Sequence, residues 1–295
     1  RICDIQKKCN LIPKGMRHTV LTESKDYPYI ERIVIMNILD VAFVEELVDA
    51  CQYFWEAGWG EYHAGNISYL LSDDEFDQLK EYMQVSASVD VAFDTAGLKG
   101  KAFIVTKSGA CFRTMKKKYE RDLGIIQFKE NGYDILWGLD QGRGRPTSEL
   151  PAHVLCHRAR LADDANNKIV MHCHPTYLNA MTMIHELDEE SFTQTLWKMN
   201  SECALVFPEG LAVLPWMKCG EGPIGPATAD KMKDKRVVVW PFHGIFSSGN
   251  SISDAIGLIE AIDKNAYVYV LVKANMMHGM TDENVRELKE HFGLS

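Results

Sequence analysis

Apolar residues recur every three or four positions along ILDVAFVEELVDACQYFWEAGW: Val41, Phe43, Val44, Leu47, Val48, Cys51, Phe54 and Trp55. That period predicts a helix with one buried face. The 35 residues before Met36 show no comparable pattern, and the first of them is not methionine. Residues 1–35 are therefore expected to be an N-terminal extension, foreign to the domain or carried over from upstream sequence. A single domain is expected over residues 36–295. Beyond the first helix the period changes repeatedly. GWGEYHAGNISYLL reads as a glycine-rich turn entering an alternating strand, KAFIVTKSGACF as strand, turn and strand, and YDILWGL as a strand. EFDQLKEYM is a short polar helix or loop, and QGRGRPTSEL is a loop running into the helix ELPAHVLCHRARLA. TYLNAMTMIHEL and SFTQTLWKMNSE read as helices, whereas CALVFPEGLAVLP and RVVVWPFHGIFSSG are rich in strand formers. SISDAIGLIEAIDKNAYVYVLVKAN is expected to be a capped helix, and TDENVRELKEHFG a closing helix capped by Thr281. Strands and helices intermix throughout. The class is α/β, a layered sandwich with helices over a sheet.

One strand carries more than apolar residues. In KIVMHCHPTY, Ile169, Val170 and Met171 read as a buried strand, and period-two geometry then sends His172 and His174 to the same face. Cys173 between them faces the other way. A polar alternation on a half-exposed strand has the same spelling, so the pair alone stands open between a surface accident and half of a metal site. A catalytic zinc needs three protein ligands and one position left for substrate. His243, in VVVWPFHGIF, follows an independent apolar strand and precedes Gly244, where a turn lets a ring project from the end of a sheet. It is the best third candidate. His153 and His157, four apart on a helix, form a rival pair, with no acidic partner between them as a metalloprotease motif would have.

PTSELPAH adds a second constellation. Thr147 and Ser148 stand just before a helix whose first turn holds Pro151, where its missing N–H costs nothing. Helix N-termini hold anions with free N–H groups and a favourable dipole, although plain N-capping explains the same residues. Glu149, beside a bound phosphate and near a metal, would serve as a base. Gly65-Asn66 and Ser108-Gly109 are short turns that are common everywhere, yet together with Thr147 and Ser148 they form a phosphate cradle of neutral donors.

Composition narrows the choice. With 46% hydrophobic and 25% charged residues the chain has the mix of a soluble globular protein. No apolar run approaches the roughly 18–20 residues of a membrane span, so no membrane partner is expected. A formal charge of −9 speaks against a nucleic-acid partner, which would need a basic face. It also means that local donors must hold any phosphate. Eight cysteines without a CxxC pair read as reduced thiols of a cytoplasmic protein. A lysine Schiff base is the alternative to a metal for activating a carbonyl substrate. Lys101 and Lys107 are available, but neither sits in a convincingly apolar stretch.

Taken together, GWGEYHAGNIS, FIVTKSGACFR, ILWGL, PTSELPAH, VMHCHPTYLNAMT, LWKMNSECALVFPEG, LPWM and VVWPFHGIFSSG resemble the zinc-dependent class II aldolase and adducin family over about residues 55–250. The resemblance implies a three-layer αβα sandwich, its mixed, antiparallel-rich sheet flanked by helices, and a homotetramer with active sites at subunit interfaces. It implies an aldehyde-lyase holding one Zn2+ per subunit. WGL…PTSELPAH and ECALVFPEG…LPWM point to the branch that reversibly cleaves L-rhamnulose 1-phosphate, a phosphorylated ketose, to dihydroxyacetone phosphate and the small aldehyde L-lactaldehyde. Under this resemblance His172, His174 and His243 are zinc ligands and Glu149 is the catalytic base. Glu202 reaches a neighbouring subunit's site as proton donor. Gly65, Asn66, Ser108, Gly109, Thr147 and Ser148 bind the phosphate. His63 stands where the family usually has asparagine, and Ala64 replaces a glycine, so His63 either takes over that substrate contact or shifts substrate preference. The alternatives are a fuculose-1-phosphate aldolase or pentulose-5-phosphate 4-epimerase of the same family, and a non-catalytic adducin-like interaction module.

Overall fold

The computed structural model describes residues 18–22, 30–34, 37–220 and 222–294. Two strands, β1 (His18–Thr22) and β2 (Ile30–Val34), pair antiparallel as a small separate sheet that the polar–apolar pattern does not predict. The expected domain boundary at Met36 lies outside the described residues. Helix α1 (Ala42–Glu56) forms where its period predicts it and buries Val44, Leu47, Val48, Cys51 and Phe54.

The main sheet has nine strands. In chain order they are β3 (Asn66–Leu70), β4 (Ala87–Asp90), β5 (Ala102–Thr106), β6 (Leu123–Lys129), β7 (Gly132–Gly138), β8 (Ile169–Cys173), β9 (Ala212–Val213), β10 (Val237–Trp240) and β11 (Gly244–Gly249). Across the sheet they run β4-β7-β6-β5-β3-β8-β11-β10-β9, antiparallel at every junction except the parallel β9–β10 pair. The expected mixed, antiparallel-rich sheet is what the chain builds. The strand that carries His172 lies near its centre, paired on both sides.

The remaining helices are α2 (Asp73–Leu79), α3 (Met115–Asp122), α4 (Leu150–Asp163), α5 (Thr176–Ile184), α6 (Glu189–Met199), α7 (Ser201–Val206), α8 (Ile224–Lys231), α9 (Ile252–Val272) and α10 (Asp282–His291). Alternation along β8 divides the layers. Ile169, Met171 and Cys173 pack into the core shared with α1, α5, α6 and α9, whereas Val170 packs on the opposite face with Ala152, Leu155 and Cys156 of α4 and Ile224 of α8. Helices thus cover both faces, giving the three-layer sandwich. His172 follows the parity of Val170 and points toward α4.

Two local expectations fail. The segment after Ser108-Gly109 is not a second strand: Phe112–Thr114 form a 3-10 turn that runs into α3. Phe112 has to reach the α1 face, where it packs against Phe54 with ring centroids 6.0 Å apart. Its ring occupies space that only glycine leaves, since a Cβ on Gly60 or Gly65 would lie 2.8 or 2.9 Å from it. The stretch CALVFPEGLAVLP is strand only at Ala212–Val213. Residues 201–206 are helical because the Asn200 side chain caps their first turn while Cys203 and Ala204 turn into the core. Tertiary packing outweighs intrinsic strand preference here. Among the described residues all six cysteines are free.

Candidate metal centre and active site

Three imidazoles that are far apart in sequence meet at one end of the sheet. His172 is the last residue but one of β8, and His174 follows directly after the strand. His243 sits in the tight turn between β10 and β11, after Phe242, whose φ of 62° shows how sharply the chain bends there. Ring centroids are 5.2 Å apart for His172 and His174, 4.9 Å for His172 and His243, and 4.7 Å for His174 and His243. One nitrogen from each ring lies within 4.8 Å of the others. That is an arrangement three ligands of one divalent ion can adopt.

Each ring is oriented from behind. The Nδ1–H of His172 donates to the carbonyl of Ile245 at 3.0 Å, which leaves Nε2 as a lone pair facing the cluster. His174 Nδ1 donates to Glu61 Oε1 at 2.8 Å, and its backbone N–H donates to the carbonyl of Trp59 at 2.9 Å. His243 is steadied through its carbonyl, which accepts from Asn179 Nδ2 at 2.8 Å. Behind His172 stand Phe246 and Trp240, both buried. Burying each aromatic stabilises the fold by roughly 2–3 kcal/mol. That margin offsets the cost of about 1–3 kcal/mol for a buried polar atom without a partner. There is such an atom, and it is His172 Nε2. An orphaned lone pair turned toward two other imidazoles suits a cation. Burial first, then the neighbouring His243 and His174, push the His172 ring well below the ordinary histidine range. Burial and His174 likewise bring His243 down to about 4. Neutral rings are what a metal needs.

Glu149 comes to the same place from α4. Its residue occupies the N-cap position, its carboxylate is buried, and Oε2 lies 3.6 Å from His172 Nε2. Burial raises the pKa of Glu149, while the hydrogen bond from Asn66 Nδ2 at 2.9 Å and the nearby His174 oppose that rise. A carboxylate held above its usual range beside a cation site is poised to take and return a proton.

The candidate phosphate turns are tied to one another. Ser108 N–H donates to the carbonyl of Arg145 at 2.9 Å, Thr147 N–H to that of Thr106 at 2.9 Å, and His63 Nδ1 to that of Ala110 at 3.1 Å. Gly65 adopts a φ of 82° just before β3, and Gly109 a φ of 71°. Ser108, Gly109, Ser148 and His63 are exposed. Thr147 is buried, its hydroxyl accepting from the Glu149 N–H at 3.2 Å. Ahead of them the chain makes a left-handed turn, Gly138 to Gly142, with every φ positive. Left-handed backbone costs a non-glycine residue roughly 1–2 kcal/mol, and the buried Leu139 packed over Gly124 helps to hold it. Asn66 is the exception in this group. Its amide is already engaged, donating to Glu149 and accepting from His153.

Glu202 is not brought to the cluster within the chain. It lies exposed in the first turn of α7, and its side chain makes no hydrogen bond or salt bridge among the described residues. His153 and His157 are not a metal pair either. Both are fully buried and close on the hydroxyl of Ser68, at 2.7 and 2.8 Å. Sequence reasoning missed Glu61 and Asn179, which orient two of the three histidines. Glu61 lies in the GWGEYHAGN turn, two residues before His63, and its acidic side chain in a glycine-rich turn was the only signal.

Three converging imidazoles beside a buried carboxylate define a site that could hold a divalent ion next to an acid–base group. The chain belongs to the class II aldolase and adducin family: the model of the Class II Aldolase and Adducin N-terminal domain matches residues 45–270. Among its relatives, the rhamnulose-1-phosphate aldolase of Listeria innocua is 44% identical over 262 residues, covering 88% of this chain and 96% of that one. The rhamnulose-1-phosphate aldolase of Enterococcus faecalis is 44% identical over 264 residues, covering 88% and 94%. In fold the chain is similar to a sugar-phosphate aldolase from Thermotoga maritima, with a TM-score of 0.69 at 24% identity over 80% of this chain and 97% of that one. No helix among the described residues is long and apolar enough to cross a membrane.

Proposed function

We propose that the chain is a zinc-dependent aldehyde-lyase that reversibly cleaves L-rhamnulose 1-phosphate to dihydroxyacetone phosphate and L-lactaldehyde. The name shared by relatives that are 40–44% identical over 88% of the chain supports the substrate. The observation that carries the chemistry is the buried, unpartnered Nε2 of His172, turned toward His174 and His243 beside the carboxylate of Glu149.

His172, His174 and His243 would hold one Zn2+ per subunit. When bound, such an ion supplies Lewis acidity to the negative charge that develops on the three-carbon fragment as C3–C4 breaks. Glu149 moves the proton at C3 of that fragment, the carbon freed from C4 and not the one bearing the phosphate, taking it in the synthetic direction and returning it in cleavage. Ser108, Gly109, Thr147 and Ser148, with the Gly65-Asn66 turn and His63, anchor the phosphate. Because the phosphate is remote from the breaking bond, its binding energy orients the reacting carbons. Neutral donors suit this work in a chain of formal charge −9. Glu202 serves the site of a neighbouring subunit as proton donor to the aldehyde oxygen in a homotetramer. Its exposure and lack of partners leave it free to do so. The half-exposed Phe242 beside His243 supplies apolar surface for that neighbour.

The test is a product assay on rhamnulose 1-phosphate and fuculose 1-phosphate, with and without chelator. Lactaldehyde release from rhamnulose 1-phosphate, abolished by chelator and restored by Zn2+, is expected. Full activity in a metal-free sample would remove the assignment, and lactaldehyde release from fuculose 1-phosphate in place of rhamnulose 1-phosphate would move it to another branch of the family.

A further inference from the structure

Behind Glu149 runs a line of polar side chains through the sheet that the chemistry above does not use. Asn66 Nδ2 donates to Glu149 Oε2 at 2.9 Å, and Asn66 Oδ1 makes a short hydrogen bond with His153 Nε2. His153 Nδ1 meets Ser68 Oγ at 2.7 Å, and Ser68 Oγ meets His157 Nε2 at 2.8 Å. Asn66, Ser68, His153 and His157 are all at most 8% exposed. Register builds the line: Asn66 and Ser68 share one face of β3, and His153 and His157 share one face of α4 packed above it.

The proton positions follow from valence. Burial pushes both imidazoles down to about 3, so each carries one N–H and one lone pair. An ionised carboxylate only accepts, so Asn66 must turn its NH2 to Glu149 and its carbonyl oxygen to His153. His153 then donates from Nε2 and accepts at Nδ1 from the Ser68 hydroxyl. Ser68 in turn accepts from the Nε2–H of His157. The far Nδ1 of His157 is left as an acceptor, and it is an unpartnered buried atom. Every donor points toward Glu149. Were the line reversed, the carbonyl oxygen of Asn66 would face the carboxylate and repel it.

We propose that Ser68, His153 and His157 are positioning residues that lock the Asn66 amide with its NH2 toward Glu149, holding that carboxylate aimed at the cation site. The inference rests on the reading of Glu149 as the base. It assigns the buried histidine pair a part in the reaction at a distance from substrate, acting only through Asn66. Hydrogen bonds in such a line polarise one another in a low-dielectric interior, so its far end is felt at the near end.

The test uses the zinc-loaded enzyme and compares Ser68→Ala, His157→Phe and Glu149→Gln with the unaltered chain. Rates of cleavage and of proton exchange at the unphosphorylated hydroxymethyl carbon of dihydroxyacetone phosphate are measured beside zinc content and Tm. Ser68→Ala is expected to lower kcat and that proton exchange about tenfold with KM and zinc content unchanged. His157→Phe is expected to do the same to a smaller extent. Nitrogen-15 NMR of the histidines in the unaltered enzyme should find both His153 and His157 as neutral Nε2–H tautomers, a readout that does not depend on any variant folding. A folded, zinc-loaded Ser68→Ala enzyme with unchanged kcat, or an Nδ1–H tautomer at His153, would overturn the proposal. If Glu149→Gln keeps full proton exchange, the reading of Glu149 fails instead. A silent Ser68→Ala beside an inactive Glu149→Gln condemns the positioning role alone.

Discussion

Two pairs of histidines lie within the same sandwich, and their spacing says little about what they do. His172 and His174 are separated by one residue on a strand, His153 and His157 by three on a helix, and both spacings are compatible with a metal face. The difference is where the lone pairs go. The helical pair turns inward onto a single hydroxyl, Ser68, which uses one nitrogen of each ring. The strand pair is held from behind by Ile245 and Glu61, so that its remaining nitrogens face His243 across an open cluster. A ligand set is marked by unspent acceptors that converge, and a structural set by acceptors that close on one another.

The comparison is broken most severely at the strand pair. His174→Ala should abolish cleavage and weaken zinc binding by more than about a hundredfold, beyond the cost of losing an outer hydrogen-bond partner; metal analysis after dialysis against a weak chelator measures it. His153→Phe should leave zinc content unchanged in the same assay.

Acid probes the buried helical pair next. His153 and His157 have folded pKa values near 3, below the unfolded value of about 6.5. The unfolded chain therefore binds more protons as pH falls, and stability is full above pH 6.5 and is lost progressively down to about 3. The loss is roughly 2 kcal/mol per histidine by pH 5. Denaturant melts at pH 7.5 and 5 should find it, and His157→Phe should remove about 2 kcal/mol of the loss.

How much of this was legible depends on range. The H-x-H pair could be read because strand parity is strictly local, and His243 because a buried strand followed by glycine announces a turn. Glu149 stood out as an acid where a helix begins. Nothing local marks Glu61 as the partner of His174, since 113 residues separate them. Ser68 reads as one polar residue in an alternating strand, which predicts a solvent-facing side. In the fold that side is buried under α4, and its polarity is met by two imidazoles. The same limit applies to Phe112: its strand-like neighbours predict extension, and a contact with Phe54 imposes a turn. The α/β layering was readable from period alone, and the sheet type from the family resemblance. Side-chain partners set by tertiary contact were not.

Smaller effects sharpen the contrast. Glu61→Gln removes the charged partner of His174 and should weaken zinc affinity about 10–100-fold while leaving the His153–Ser68–His157 group untouched. Competition with a chromophoric chelator reads that change. Asp263 lies one shell further out. Its buried carboxylate accepts from Tyr177 and Leu178 N–H at the start of α5 and from Trp59 Nε1, behind His174. Asp263→Ala should cost about 1–3 kcal/mol of stability, seen in denaturant melts, with a change in zinc affinity below that of Glu61→Gln.

The most direct test is anomalous scattering at the zinc edge from crystals of the zinc-loaded protein. One peak per chain is expected, about 2.0–2.1 Å from a nitrogen of each of His172, His174 and His243. A peak at His153 and His157, or none in a preparation that still cleaves rhamnulose 1-phosphate, would contradict it.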